Sequence, residues 1–328
     1  MRDLNGAGLA QAFWVAAVVT VLAIRGFLAA TGYPQVGGSR LHVAHMLWGG
    51  LGMLVALLLL LLFVGSSVRT AAAWIGGVGF GSFIDELGKF LTQDNDYFFR
   101  PAVALIYAVF VAVFLLVRYV SWRRAPSRAE RLSYAYGALT DLAAGQLGPR
   151  RRRQALDLLG SDGDELVGEV RALLDRVPAD TQSPSRWARL TRLATTLPRR
   201  VYDLAAHPAV RRAVIGLFFL LAGGIVAATL VAFLQRGDLT PPLDAVTVGS
   251  VVTVIAVGAC SLLGVWQLLR GARVAALRLF RWAALVALFV GQFVAFIALQ
   301  FAALAGLAVN LLVLAALRVE LAVETDAQ

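Results

Sequence analysis

From Trp282 to Leu317 the chain carries no charged residue. A helix needs about 20 predominantly apolar residues to cross the hydrocarbon core of a bilayer. This run is too long for one ordinary span and too apolar for a soluble helix, whose outer face must meet water. Similar stretches recur along the chain, and the sequence therefore predicts an all-α, polytopic integral membrane protein with about eight transmembrane helices. The expected spans are 9–30, 42–65, 70–91, 101–121, 213–234, 246–269, 282–300 and 302–318. The last two come from splitting the uncharged run at a tight hairpin near Gln300. A composition of 59% hydrophobic residues agrees, because a soluble domain cannot hide that much apolar surface.

Charge is placed unevenly. Residues 118–212 hold 18 of the 30 basic residues against 10 acidic ones. Basic residues in short loops mark the cytoplasmic side. Arg118, Arg123 and Arg124 follow the fourth expected span, Arg211 and Arg212 precede the fifth, and Arg270, Arg273, Arg278 and Arg281 separate the sixth from the seventh. This pattern places both termini and residues 122–212 in the cytoplasm of a cell-membrane protein. Three domains are expected: 1–121, a four-helix membrane bundle; 122–212, a small, basic, helical cytoplasmic insert; and 213–328, a second membrane bundle. Leucines at helical spacing, broken by Pro149, Gly160, Pro178, Pro184 and Pro198, predict four or five short helices in the insert.

The run Arg150–Arg153 is read as an anchor on anionic lipid headgroups rather than as a nucleic-acid contact. The expected partners are thus the lipid bilayer and its anionic headgroups, and the sequence is also compatible with a homo-oligomer. The N-terminal apolar run has no small-residue cleavage pattern behind it and reads as a retained first span.

Concentrated polar chemistry appears at the predicted outer ends of the second and third spans. His42 and His45 are two of only three histidines, and their i, i+3 spacing puts both on one helix face. Gly49 and Gly52 continue along the second span. In the third, Gly77, Gly81, Asp85 and Lys89 recur every four residues, with Glu86 beside Asp85. Small residues at this spacing let membrane helices approach closely, so Gly49/Gly52 are expected to seat against Gly77/Gly81. Above that seam His42 and His45 would meet Asp85 and Glu86.

A carboxylate within a span is costly and is usually paired or functional. Two imidazoles with two carboxylates suit zinc, manganese or iron(II). The expected metal ligands are His42, His45 and Asp85. Glu86 and Lys89 would be the catalytic pair, Glu86 as general base. Arg25 near the outer end of the first span, with Asp94 and Asp96 in the following loop, would line a substrate or ion route, and Lys89 or Arg25 would hold a phosphate or carboxylate. The plain alternatives are a salt-bridge network of Arg25, Lys89, Asp85, Glu86 and the imidazoles, or a proton or cation pathway through Asp85 and Glu86.

Other chemistries are set aside. The single cysteine, Cys260, excludes an intrachain disulfide. There is no P-loop and no Gly-x-Ser-x-Gly elbow. Asp94-Asn95-Asp96 lacks EF-hand spacing, and two histidines on one face cannot be the two axial ligands of one haem. Gln292, Gln300 and Asn310 read as interhelical hydrogen-bonding residues. Three readings stay open: a metal-dependent enzyme acting on a lipid or lipid-linked substrate, a proton- or cation-coupled transporter or channel, and a non-catalytic scaffold or sensor.

The stretch His42-Val-Ala-His45-Met-Leu-Trp48-Gly-Gly50 and the stretch Phe83-Ile-Asp85-Glu86-Leu-Gly-Lys89-Phe90, running on to Asp94-Asn-Asp96-Tyr-Phe-Phe99, resemble an uncharacterised group of bacterial multi-span membrane proteins. The resemblance covers roughly residues 30–115. It implies that His42, His45, Asp85, Glu86, Lys89, Asp94 and Asp96 belong together, and it implies no activity.

Overall fold

A computed structural model of the chain describes residues 2–31, 45–86, 101–121, 125–145, 147–160, 165–176, 207–211, 215–219 and 245–326, with a few isolated residues between 190 and 213. Everything regular among them is helical, with no strand. The chain forms two compact units, Met1–Phe90 with Val109–Thr196, and Leu91–Ala108 with Leu197–Gln328.

The helices are α1 (Gly6–Thr31), α2 (His45–Leu62), α3 (Ser66–Asp85), α4 (Pro101–Val120), α5 (Arg128–Ala143), α6 (Pro149–Leu159), α7 (Glu165–Arg176), α8 (Ala245–Leu269), α9 (Arg273–Val286), α10 (Gln292–Leu299) and α11 (Leu304–Asp326). Among the described residues, four stretches are long and apolar enough to cross a membrane: Gly6–Thr31, Pro101–Val120, Val246–Leu269 and Arg273–Glu324. The expectation of about eight spans is not supported by the described residues, which offer these four stretches. Helix α2 is apolar but short. Helix α3 is diluted by glycine, serine and threonine, and it buries its small residues against two neighbours instead of offering bulky side chains to lipid. Most of 213–234 lies outside the described residues.

The seam between α2 and α3 differs from the one the glycine spacing predicts. A Cβ on Gly79 would sit 2.7 Å from the Gly49 carbonyl oxygen and 2.7 Å from the Met53 nitrogen, and one on Gly52 would sit 3.1 Å from the Gly79 Cα. Gly77 and Gly81 instead face α1, against Phe13, Ala16, Ala17 and Thr20. The reason is helical geometry. Residues 77 and 81 share one face, whereas 76, 79 and 83 lie on another about 100–200° around the axis. Helix α3 is thus the middle element, parallel to α1 and antiparallel to α2.

Gly79→Val is therefore expected to cost about 3 kcal/mol or more, because two backbones, not flexible side chains, must separate. Gly50→Val, where no atom lies within 4 Å of the new Cβ, should be near neutral. Unfolding midpoints of the two variants in detergent micelles check this.

Aromatic packing joins α1, α3 and the later turns of α4. The Trp14 indole donates to the Phe110 carbonyl at 3.1 Å, and Phe80 meets Phe110 edge-on at 6.2 Å.

The insert contributes three described helices, α5–α7, around a core of Tyr134, Ala138, Leu159, Val170 and Leu174. Helix α5 begins with a capping box. Ser127 Oγ accepts from the Glu130 amide, and the Glu130 carboxylate accepts from the Ser127 amide. The same carboxylate takes the Arg2 guanidinium and the Arg2 amide, at 3.2 and 2.8 Å. Asp141, fully buried, accepts the Ser66 amide at 2.8 Å and pairs with Arg151 at 2.7 Å. An aspartate of the insert thereby caps α3, since Ser66 is one of the four residues whose N–H finds no intrahelical partner. The start of α1, the start of α3 and the insert therefore lie at one end of this unit.

Two arginines of the run are engaged within the insert. Arg151 is committed to Asp141 and stacks over Tyr134, while Arg152 donates to the Leu174 carbonyl at 2.6 Å. Arg150 and Arg153 are exposed.

Hydrogen bonds from the Arg2 guanidinium, then from the Arg2 and Ser127 amides, lower the Glu130 carboxyl from its ordinary 4.5 to about 2. A depressed carboxylate contributes stability above its unfolded value and loses it as pH falls through the folded one. The tie between the N-terminus and α5 should thus weaken between about pH 4.5 and pH 2. Proteolysis of the N-terminal residues as a function of pH should show that limb, and Glu130→Gln should abolish it.

In the second unit, α9 and α10 run on from one another through a π-turn at Ala287–Gly291. The chain then reverses at Gln300, a non-glycine residue with φ of 50°, and a short 3₁₀ segment, Gln300–Ala303, leads into α11. Phe280, Ala284, Val313 and Leu317 share one core, so α9 and α11 lie side by side. The reversal falls where the uncharged run was expected to turn. Gln292 donates through Nε2 to the Ala303 carbonyl at 2.6 Å, satisfying backbone that the break leaves open. Val103 and Ala104 of the first turns of α4 pack on Phe296 and Ala303, and the Tyr107 hydroxyl donates to the Leu288 carbonyl at 2.7 Å.

Candidate functional site

At the end of the first unit away from the insert, α1, α2 and α3 bring together the polar groups that the sequence singles out. From Ser66 to Asp85 the helix rises about 28 Å, close to the thickness of a hydrocarbon core. The insert and this cluster therefore lie at opposite ends of α3.

Asp85 and Glu86 close α3, and each is 1% exposed. Such burial demands compensation, because a carboxylate removed from water without a partner is strongly disfavoured. Arg25 supplies it for Asp85. Its Nε lies 2.6 Å from Asp85 Oδ1, and its Nη2 donates to the Asp85 backbone carbonyl at 2.7 Å. One guanidinium thus binds both the side chain and the last-turn carbonyl of the same residue. The second bond also suits the helix end, where carbonyls lack intrahelical donors. Glu86 reaches across to α2, and its Oε2 accepts the Met46 amide at 3.3 Å. Met46 is the second residue of α2, so this bond caps the helix and sets the His45–Met46 peptide against the Glu86 carboxylate.

The small residues explain why this convergence is possible. With Gly77 and Gly81 against α1, and Gly79 against Gly49 and Gly52 of α2, the three backbones are close enough for one arginine and one glutamate to bridge them.

Of the expected site residues, Arg25, Asp85 and Glu86 are brought together. The Arg25 guanidinium pairs with Asp85. His42, Lys89, Asp94 and Asp96 lie outside the described residues, as does the side chain of His45. Among the described residues no group of three or more histidine, cysteine, aspartate or glutamate side chains is gathered as a metal site would require. The sequence reading missed the Asp141–Arg151–Ser66 cluster; its only signal was an acidic residue on the same face of α5 as Tyr134 and Ala138. No protein-family model matches the chain, and it has no match among curated proteins or among solved structures.

Proposed function

We propose that this chain is an integral protein of the cell membrane whose working centre is the Arg25–Asp85–Glu86 cluster, and that this centre holds a divalent metal used on a lipid or lipid-linked substrate. The observation that carries the reading is the bond from Glu86 Oε2 to the Met46 amide, which puts a buried carboxylate beside the helix start where His45 stands. Carboxylate and imidazole are the donor set that zinc, manganese or iron(II) accepts. His42, His45 and one carboxylate would hold the ion, which supplies Lewis-acid chemistry when bound. Arg25 fixes the rotamer and charge of Asp85. Glu86 would hold or move a proton, and Lys89, four residues after Asp85 in the sequence, would meet an anionic group of the substrate. The arginine-rich flanks support a cytoplasmic side for both termini and residues 122–212, which would put the centre at the outer interface.

The Arg25–Asp85 pair itself favours a second reading, a network that only fastens the three helices. Elemental mass spectrometry separates the two. Purified wild type is compared with the His42→Ala/His45→Ala and Asp85→Asn variants at matched folding. Near-stoichiometric metal in the wild type, lost in the variants, is the expected result. No metal after reconstitution overturns the proposal in favour of the fastening network, and proton-flux assays in liposomes then test the pathway alternative.

A further inference from the structure

The second unit contains a cavity of about 450 Å3 bounded by α8, the π-turn and the helix pair that meets at Gln300. It is not a gap left by splayed helices. A Cβ on Gly249 would sit 2.7 Å from Val294 Cγ2, and one on Gly291 would sit 2.8 Å from Thr253 Cγ2, so α8 is pressed onto the π-turn region. The space exists because two irregularities coincide. The π-turn inserts an extra residue into the helical ladder at 287–291, and at Gln300 the chain reverses into a 3₁₀ segment whose Ala302 and Ala303 also line the space. Both features are costly to maintain in a membrane, and such breaks are found where backbone lines a cavity.

The polar groups around this space have a definite bias. The Ser250 and Thr253 hydroxyls each donate to a carbonyl of their own helix at 2.7 Å, so toward the cavity they offer only lone pairs. Gln292, 3% exposed, is committed through Nε2 to Ala303. Asn310 Nδ2 reaches Gln292 Oε1 at 3.5 Å, the outer limit of a hydrogen bond, so its amide N–H groups are weakly engaged. Among the described residues lining the cavity none is ionisable, and most are aliphatic.

We infer that this cavity binds a neutral, mainly apolar molecule through an oxygen-bearing head group, alcohol or ketone, that accepts from Asn310. An acidic or cationic ligand has no counter-charge there. A plain hydrocarbon leaves the Asn310 amide without a good acceptor, which is costly away from water. The inference is independent of the metal centre and of its substrate.

Photoreactive diazirine probes of one chain length test it on the full protein in nanodiscs: an alkane, a fatty alcohol, a methyl ketone and a fatty acid. The alcohol and the ketone should label peptides from 245–269 and 287–310 about fivefold more than the alkane and the acid, the effect of one ordinary hydrogen bond. Asn310→Leu should erase that preference while alkane labelling persists. Gly306→Leu keeps the amide but fills the space, and should reduce labelling by all four. Equal labelling of the wild type by alkane and alcohol would mean that bulk acyl chains occupy the cavity, and would overturn the inference. So would an unchanged preference in Asn310→Leu, or undiminished labelling in Gly306→Leu.

Discussion

Asp85→Ala is expected to destabilise the first unit by about 4 kcal/mol, the largest single effect in the molecule. The loss would exceed that of the ion pair itself. Arg25 has 12% of its side chain exposed, so its charge would stay largely buried without Oδ1 to meet it. The bond from Arg25 Nη2 to the Asp85 backbone carbonyl survives the substitution, which keeps the arginine from simply swinging out. The diagnostic variant is the double exchange Arg25→Met/Asp85→Leu. Removing both charges takes the buried pair away as a unit, so much of the stability should return. Denaturant unfolding in micelles of the two single variants and the double variant reads this directly. If the double variant is as unstable as Asp85→Ala, the pair is not the unit that matters. Metal content of the same double variant adds a separate result: a stable protein that has lost its metal would separate fastening from function.

The second large effect is expected at the opposite end. Asp141→Ala should cost about 3 kcal/mol, because Asp141 is fully buried and serves both the Arg151 guanidinium and the Ser66 amide. The value is set below that for Asp85 because Arg151 keeps 20% of its side chain exposed and can be partly rehydrated. The consequence should be local. With the cap removed, the first turn of α3 frays and the insert loosens from it, while the seam around Gly79 stays closed. Hydrogen exchange is the suitable measurement: protection should fall at 66–69 and across α5–α7, and hold in the second half of α3. Loss of protection throughout α3 would mean that the insert and the helix bundle are one cooperative unit. Asp141→Asn should recover part of the loss, since the amide oxygen still accepts from Ser66.

These two aspartates show what could and could not be read in advance. Asp85 was legible because it is a carboxylate in an apolar run, one helical turn from glycines on one side and a lysine on the other. Its depth and its neighbour Glu86 follow from the 3.6-residue period. Arg25 was visible as a charge near the end of the first run, but its partner was not, because a long arginine side chain reaches several residues. Asp141 gave almost no signal, since a single aspartate among alanines and leucines of a short helix is commonly a solvated residue. Only the meeting of α5 with the start of α3 makes it a buried cap.

Helix positions were determined largely by the sequence. Runs of apolar residues, bounded by Pro101 and by arginines, placed α1, α2, α4 and α8 to within a few residues, because lipid and the backbone hydrogen-bond requirement leave a chain so apolar little choice but helix. The hairpin at Gln300 was legible for the same reason, as an uncharged run longer than a bilayer is thick. Which faces pair was decided by the tertiary structure. Gly77/Gly81 and Gly79 sit on the same helix and look alike in sequence, and α3 uses one set for α1 and the other for α2. The arginine run likewise divides into residues spent inside the insert and residues left at its surface. A sequence states how often a small or charged residue recurs along a helix. The neighbour it meets depends on how the helices are rotated about their axes, and that rotation is settled by the packing of all three at once.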